Sequence, residues 1–181
     1  MTRSNGPAAP CWFVMRDLKR SNAKLPAYRM LADAGMEIFT PMHERLALRQ
    51  GRRVRKLVPV MQDLLFVHDT RANLDPVVLR TPTLQYRFVR HGYCQPMVVP
   101  DEEMARFIHA VTHAEKVHYY RPGEITSQMH GRRIRIVGGP LDGYEGTLLT
   151  TRGSRSRRLL VEIPDLLAAG VEVRPEYIQL L

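Results

Sequence analysis

Short apolar runs, separated by polar stretches marked with glycine or proline, cover the first hundred residues. Trp12-Phe13-Val14-Met15 predicts a first strand. Leu25 to Ala34 predicts a helix, with Pro26 tolerable in its first turn and Gly35 as its stop. Met36-Glu37-Ile38-Phe39-Thr40-Pro41 predicts a second strand, closed by its proline. Leu64-Leu65-Phe66-Val67 is a continuous apolar run of the central-strand kind. Asn73 to Arg80 predicts a second helix, with Pro76 in its first turn and Thr81-Pro82 at its end. Tyr86 to Arg90 alternates as a strand, and Val98-Val99 leads into Pro100 and Asp101, an N-cap candidate. Beyond it Met104, Phe107, Ile108 and Val111 stand at i, i+3, i+4 and i+7, one buried stripe of a helix. Strands and helices intermix without a regular parallel series, which predicts an α+β sandwich.

The pattern then changes. Residues 114–130 are mixed and polar, include Pro122-Gly123 and hold no sustained period, which predicts a linker. From Gly131 short strands alternate with turns, an all-β signature. Ile134 and Ile136 point to one face and Arg133 and Arg135 to the other. Gly138-Gly139-Pro140 makes a turn, and Gly143 and Gly146 permit close backbone approach before a strand at Thr147 to Thr151. Further strands are predicted at Leu159 to Ile163 and Val171 to Arg174. So many short strands in so few residues suit a small SH3-like barrel.

Charge adds a partner class. Lys and Arg number 27 against 18 Asp and Glu, a net charge of +9. Such an excess favours phosphates or acidic faces through counterion release and steering. Part of it is concentrated around Gly51, where Arg45, Arg49, Arg52, Arg53, Arg55 and Lys56 fall within twelve positions. The expected geometry is a long hairpin loop whose basic side chains cannot all be buried. Phosphate contact and a simply solvated loop are the two readings of it. A second cluster, Arg152, Arg155, Arg157 and Arg158, reads equally as an RNA or protein contact or as a solvated turn.

Other chemistry finds no support. The two cysteines, Cys11 and Cys94, lie far apart and suit a reducing cytoplasm with inert thiols. Met1 to Pro10 lacks the apolar run of a signal peptide and reads as a disordered tail; no run reaches the length of a membrane span. His109 and His113 are one helical turn apart and His118 follows, but no carboxylate or cysteine spacing completes a metal site. Paired catalytic carboxylates, a nucleophile elbow, a phosphate-binding loop and a dinucleotide fingerprint are missing, so no cofactor and no enzymatic activity is expected.

The run Gly131-Arg132-Arg133-Ile134-Arg135-Ile136-Val137-Gly138-Gly139-Pro140-Leu141-Asp142-Gly143-Tyr144-Glu145-Gly146-Thr147-Leu148 strongly resembles the KOW motif, which several ribosomal proteins also carry. Trp12-Phe13-Val14, the Pro41-Met42 exit, the basic hairpin, Leu65-Phe66-Val67, Phe88-Val89-Arg90, Pro96 and Val99-Pro100 follow the order of the NusG-like (NGN) domain. From about Trp12 to Leu181 the chain is thus similar to NusG-type transcription elongation factors. In the Phe88-Val89-Arg90 region it is similar to the specialised paralog RfaH. Asp63-Leu64-Leu65-Phe66-Val67-His68 and the Gly138 to Gly146 run resemble the UpxY-type antiterminators of capsular polysaccharide operons.

The resemblance implies an NGN domain over residues 11–113, an antiparallel sheet with flanking helices, and a KOW barrel over 131–181. It implies a cytoplasmic factor that docks on the clamp helices of RNA polymerase, with Met61, Leu64 and Phe88 in an exposed apolar patch; buried core is the other reading of these three. Arg49, Arg52, Arg53, Arg55 and Lys56 would then overhang DNA or nascent RNA. The KOW residues Gly131, Gly139, Pro140, Leu141, Gly143 and Gly146 would shape a domain whose partners in relatives are a ribosomal protein or the Rho terminator. Two departures stand out. Met61-Gln62-Asp63-Leu64 replaces the Phe-Pro-Gly-Tyr of housekeeping members, and Leu141 replaces a common Phe. A general elongation factor and a ribosome-associated RNA-binding protein are the competing functions. RfaH refolds its KOW domain into helices; here the turn glycines and Pro140 oppose that, and the expectation is a permanent barrel with one helical turn at Pro164 to Gly170.

Overall fold

The computed structural model describes residues 9–19, 23–150, 153 and 156–181. The tail expected over 1–10 therefore lies almost wholly outside the described residues, as do Arg152 and Arg155. The chain divides into two compact units, Met1–Asp101 and Glu102–Leu181.

In the first unit, β1 (Cys11–Asp17) is the centre of a five-stranded antiparallel sheet. β2 (Glu37–Phe39) pairs with β5 (Leu65–Asp69), β5 with β1, and β1 with both β6 (Leu84–Tyr86) and β7 (Val98–Val99). Alternation does the sorting. Phe13 and Met15, Leu65 and Val67, and Leu84 and Tyr86 face one side. There they form a buried core with Ala27 and Leu31 of α1 (Ala27–Asp33) and Leu74 of α2 (Arg71–Arg80).

Both helices start by means other than a periodic pattern. Pro26 occupies the N-cap of α1 with no side-chain acceptor, and buried Asp17 at the end of β1 supplies one instead, accepting from Ala27 N at 2.6 Å. Helix α2 begins at Arg71, because Thr70 Oγ1 accepts from Asn73 N at 3.3 Å. Pro76 consequently falls in the second turn rather than the first. Tyr86 locks α2 to the sheet. Its hydroxyl donates to Asp75 Oδ1 at 2.9 Å, and burial followed by that carboxylate pushes the phenol far above its ordinary range. The predicted strand Tyr86 to Arg90 is cut short at Tyr86, and Phe88 forms only an isolated bridge with Pro96.

The second unit contains α3 (Asp101–His113) from Glu102 onward and a six-stranded antiparallel sheet. Met104, Phe107 and Ala110 are the fully buried positions of α3, while Ile108 and Val111 are half-buried. The sheet order is β13 (Ile178–Leu180), β9 (His130–Ile136), β10 (Glu145–Leu149), β11 (Arg158–Ile163), β12 (Leu167–Glu172), β8 (Val117–Tyr120).

Two expectations are corrected here. The segment 114–130 is not merely a linker: Val117–Tyr120 pairs antiparallel with Val171–Ala168, and Ile125 and Met129 pack against Tyr120, Leu149, Leu160 and Ala168. A polar stretch without a period hid a strand because its partner strand is rich in alanine and glycine. Pro164 to Gly170 does not form a helical turn either. Asp165 takes a left-handed φ of 59°, and Leu167 pairs with Ile163 across a tight turn. Leu166 through Val171 are all buried, so sheet packing overrides a weak helical propensity.

Candidate functional site

The most charged element of the first unit is the hairpin of β3 (Met42–Arg49) and β4 (Arg52–Pro59), a two-stranded sheet of its own. Gln50 and Gly51 at its tip both have positive φ, 50° and 75°, the geometry of a two-residue turn matched to strand twist. Eight residue pairs run from Arg49↔Arg52 to Met42↔Pro59, and Val60 N donates to Pro41 O at 2.8 Å to close the base.

Register divides the basic residues. Directly opposed residues share a face, so His43/Val58, Arg45/Lys56, Ala47/Val54 and Arg49/Arg52 make one side. Glu44/Leu57, Leu46/Arg55 and Leu48/Arg53 make the other. The first side holds four basic positions and no carboxylate. On the second, Arg55 Nη1 lies 3.2 Å from Glu44 Oε2, both exposed. Of the five residues expected to touch nucleic acid, Arg49, Arg52 and Lys56 share by register the face without carboxylates, joined by Arg45. Arg53 and Arg55 point away from it. Arg49 is placed on this face by its pairing with Arg52 alone.

The three expected apolar contacts do not share one fate. Met61 and Leu64 are buried, which corrects their assignment to an exposed patch. They close a turn in which Leu64 N donates to Met61 O at 3.3 Å, and Thr40 Oγ1 donates to Leu64 O at 3.0 Å. Phe88 is 51% exposed. The two segments are nevertheless neighbours, because Asp63 accepts from Arg87 Nη2 at 3.3 Å and pairs with Arg16 at 3.7 Å.

Phe88 opens a protruding loop held by Val89 N to Gln95 O (2.9 Å) and Met97 N to Arg87 O (2.7 Å). Val89 is exposed on it, and Tyr93 at its tip is 98% exposed. The sequence pattern does not single out Tyr93, since a loop carries no period; it stands among Arg90, His91, Gly92 and Cys94.

In the second unit the residues expected to form a KOW motif cluster at one turn and at the β9–β10 and β10–β11 strand pairs. Gly139 has a φ of 71° and lies under the Tyr177 ring, 3.0 Å from where a Cβ would stand. Pro140 and buried Leu141 continue the turn, and Gly143 N closes it on Ile136 O at 2.8 Å. Gly131 and Gly146 lie where neighbouring backbone approaches closely, Leu148 O and Leu160 O respectively. A cavity of about 330 Å³ adjoins this turn, with Leu141, Val173, Tyr177 and the Arg174–Glu115 ion pair among its lining. That pair, at 2.5 Å, holds the exposed Glu115 carboxyl below its ordinary range.

Of the three histidines, His109 and His113 stack at 4.2 Å while His118 lies on β8 against Tyr120. His109 Nδ1 is 3.0 Å from the Tyr144 hydroxyl, which donates to Arg106 O at 3.1 Å. These contacts tie α3 to the turn before β10. Arg157 and Arg158 are the described members of the second basic cluster; Arg157 is exposed and Arg158 half-buried at the start of β11. Among the described residues no helix is long and apolar enough to cross a membrane.

Residues 10–108, more than half of the chain, match the family model described as "NusG: Transcription termination factor nusG". Among solved structures the chain is similar to one reported as "Domain interaction in Thermotoga maritima NusG". That similarity is 15% identity over 94% of this chain and 96% of that one, with a TM-score of 0.45. No curated protein matches the chain.

Proposed function

The chain belongs to the NusG family, and from that premise we propose that it is a specialised elongation factor that binds RNA polymerase and promotes processive, antiterminating transcription. One observation supports this beyond membership. The β3–β4 hairpin carries a basic face without carboxylates, Arg45, Arg49, Arg52 and Lys56, suited to the phosphates of DNA or nascent RNA. Phe88 and Val89 are the surface part of the clamp-helix contact. Met61 and Leu64 support that surface from beneath, through the turn that Asp63 links to Arg87.

Such a factor needs no catalytic group. It acts by binding the active polymerase more tightly than the paused one, and the difference in affinity sets how far the equilibrium moves. Residues 131–181 are read as a KOW domain of SH3-like barrel form, reaching a second partner such as a ribosomal protein or Rho. The likeness of Asp63 to His68 and of Gly138 to Gly146 to UpxY-type factors supports a surface polysaccharide operon as target and the cytoplasm as compartment.

Copurification is the direct test. Tagged full-length protein should bring down RNA polymerase, and Phe88→Asp should reduce that recovery while leaving the fold intact. Recovery of ribosomes without polymerase would instead support the ribosome-associated reading. If polymerase is recovered, transcript profiling of a deletion strain separates a specialised factor, with loss confined to the distal part of one long operon, from a general one.

A further inference from the structure

The basic face of the β3–β4 hairpin has an apolar reverse. Leu46, Leu48 and Leu57 stand on it, 65%, 77% and 57% exposed. Leu46 and Leu48 are two residues apart on one strand, so their side chains repeat at roughly 7 Å. Leu57 lies opposite Glu44 and diagonal to Leu46, which makes the three one continuous track. A two-stranded ribbon of this kind is at best marginally stable in water, and leucines held in solvent add nothing to it. Scattered exposed leucines are ordinary; three in one register on a free-standing hairpin are a surface.

Charge defines what fits. The one carboxylate on this face, Glu44, is paired with Arg55. Arg53 stands directly across from Leu48 and, among the described residues, has no carboxylate partner. The complementary surface is therefore apolar along its middle and acidic at its edge. We propose that the leucine face docks on a protein surface of that chemistry, an amphipathic helix bearing carboxylates, while the opposite face holds phosphates. The hairpin is then clasped between protein and nucleic acid, with the strict alternation of β3 and β4 keeping the two chemistries apart. An anionic bilayer also attracts leucine and arginine, but both outer edges of the ribbon carry unpaired backbone groups that hydrocarbon cannot satisfy.

The patch is smaller than a free-standing interface requires. It acts as an added contact within a complex anchored elsewhere, where tethering supplies a high effective concentration. The inference thus rests on the polymerase reading for its setting, and the test separates the two.

A photocrosslinking amino acid is placed at Leu48, at Arg45 or at Phe88 of the full chain. Each variant is bound to RNA polymerase on a DNA–RNA scaffold. The expected result is a protein adduct from Leu48, a nucleic-acid adduct from Arg45 and a polymerase adduct from Phe88. A Leu48 probe that reaches only nucleic acid, or nothing, while Phe88 crosslinks to polymerase overturns this proposal alone. A chain that binds no polymerase overturns both readings. Joint replacement of Leu46 and Leu48 by Ser should weaken the complex about tenfold and leave binding to the scaffold without polymerase unchanged. Flotation of the protein with phosphatidylglycerol vesicles, abolished by the same replacement, would assign the face to a membrane and overturn the proposal.

Discussion

Tyr120 lies directly across from Ala168 in the β8–β12 pair, and its ring comes within 3.2 Å of where a Cβ on Gly170 would stand. Small residues on β12 leave the room that the aromatic strap fills. The strap therefore belongs to the second unit, and it covers an edge that would otherwise expose unpaired backbone groups. A fragment of residues 102–181 should melt cooperatively and remain monomeric. A fragment of residues 131–181, lacking β8, should melt at lower temperature and self-associate. Thermal circular dichroism and sedimentation would check this; equal behaviour of the two would mean the strap is dispensable.

Close backbone approach makes a second prediction. A Cβ on Gly131 would lie 2.7 Å from Leu148 O, an atom fixed in the neighbouring strand. Gly131→Ala should destabilise the second unit by about 1–3 kcal/mol through enforced strand displacement. Gly143→Ala meets nothing within 4 Å but has a φ of 79°, so only the left-handed penalty of about 1–2 kcal/mol applies. Urea unfolding of both variants measures the two effects.

Asp17 should matter to the first unit out of proportion to its single charge. It accepts from Ala27 N at 2.6 Å and from Lys19 N at 3.0 Å, in a position where Pro26 offers the helix no cap. Asp17→Ala leaves a buried amide unpaired and should cost about 1–3 kcal/mol. Asp17→Asn keeps an acceptor and should lose less. Equal losses in the two variants, measured by denaturant titration, would remove the capping role.

The hairpin register predicts unequal arginines. Replacing Arg45, Arg52 and Lys56 together by Ala should lower the log–log salt slope of nucleic-acid binding by up to about one unit per lost phosphate contact. Replacing Arg53 and Arg55 should change it little. Equal changes from the two sets would mean that the two faces are not distinguished by the nucleic acid.

The thiols should differ in reactivity. Burial, then the Asp101 carboxylate, raise the Cys11 thiol above its ordinary pKa, so little thiolate forms at neutral pH. Cys94 is exposed. A disulfide reagent at pH 7.5 should titrate one fast thiol, lost in Cys94→Ser, and one slow thiol that accelerates as pH rises. Two equal rates in the folded protein would contradict the partial burial of Cys11.

Elements whose pattern is local were legible in adjacent residues. The runs at Trp12 to Met15 and Leu65 to Val67, the stripe at Met104 and Phe107, and the Gly51 hairpin all carry their period or turn chemistry in adjacent residues. So does the Gly-Pro turn at Gly139-Pro140, which together with the NGN-like order made the family legible. Tertiary structure alone decided the rest. Val117–Tyr120 becomes a strand because Ala168 and Gly170 leave space beside it, and Leu167–Glu172 extends because both its faces are buried. Met61 and Leu64 pass inward while Phe88 stays outside, since a turn and the Thr40 hydrogen bond fix their depth. The separation of Arg45, Arg52 and Lys56 from Arg53 and Arg55 needed the hairpin register. Composition can count positive charges, but only strand pairing tells which of them face the same way.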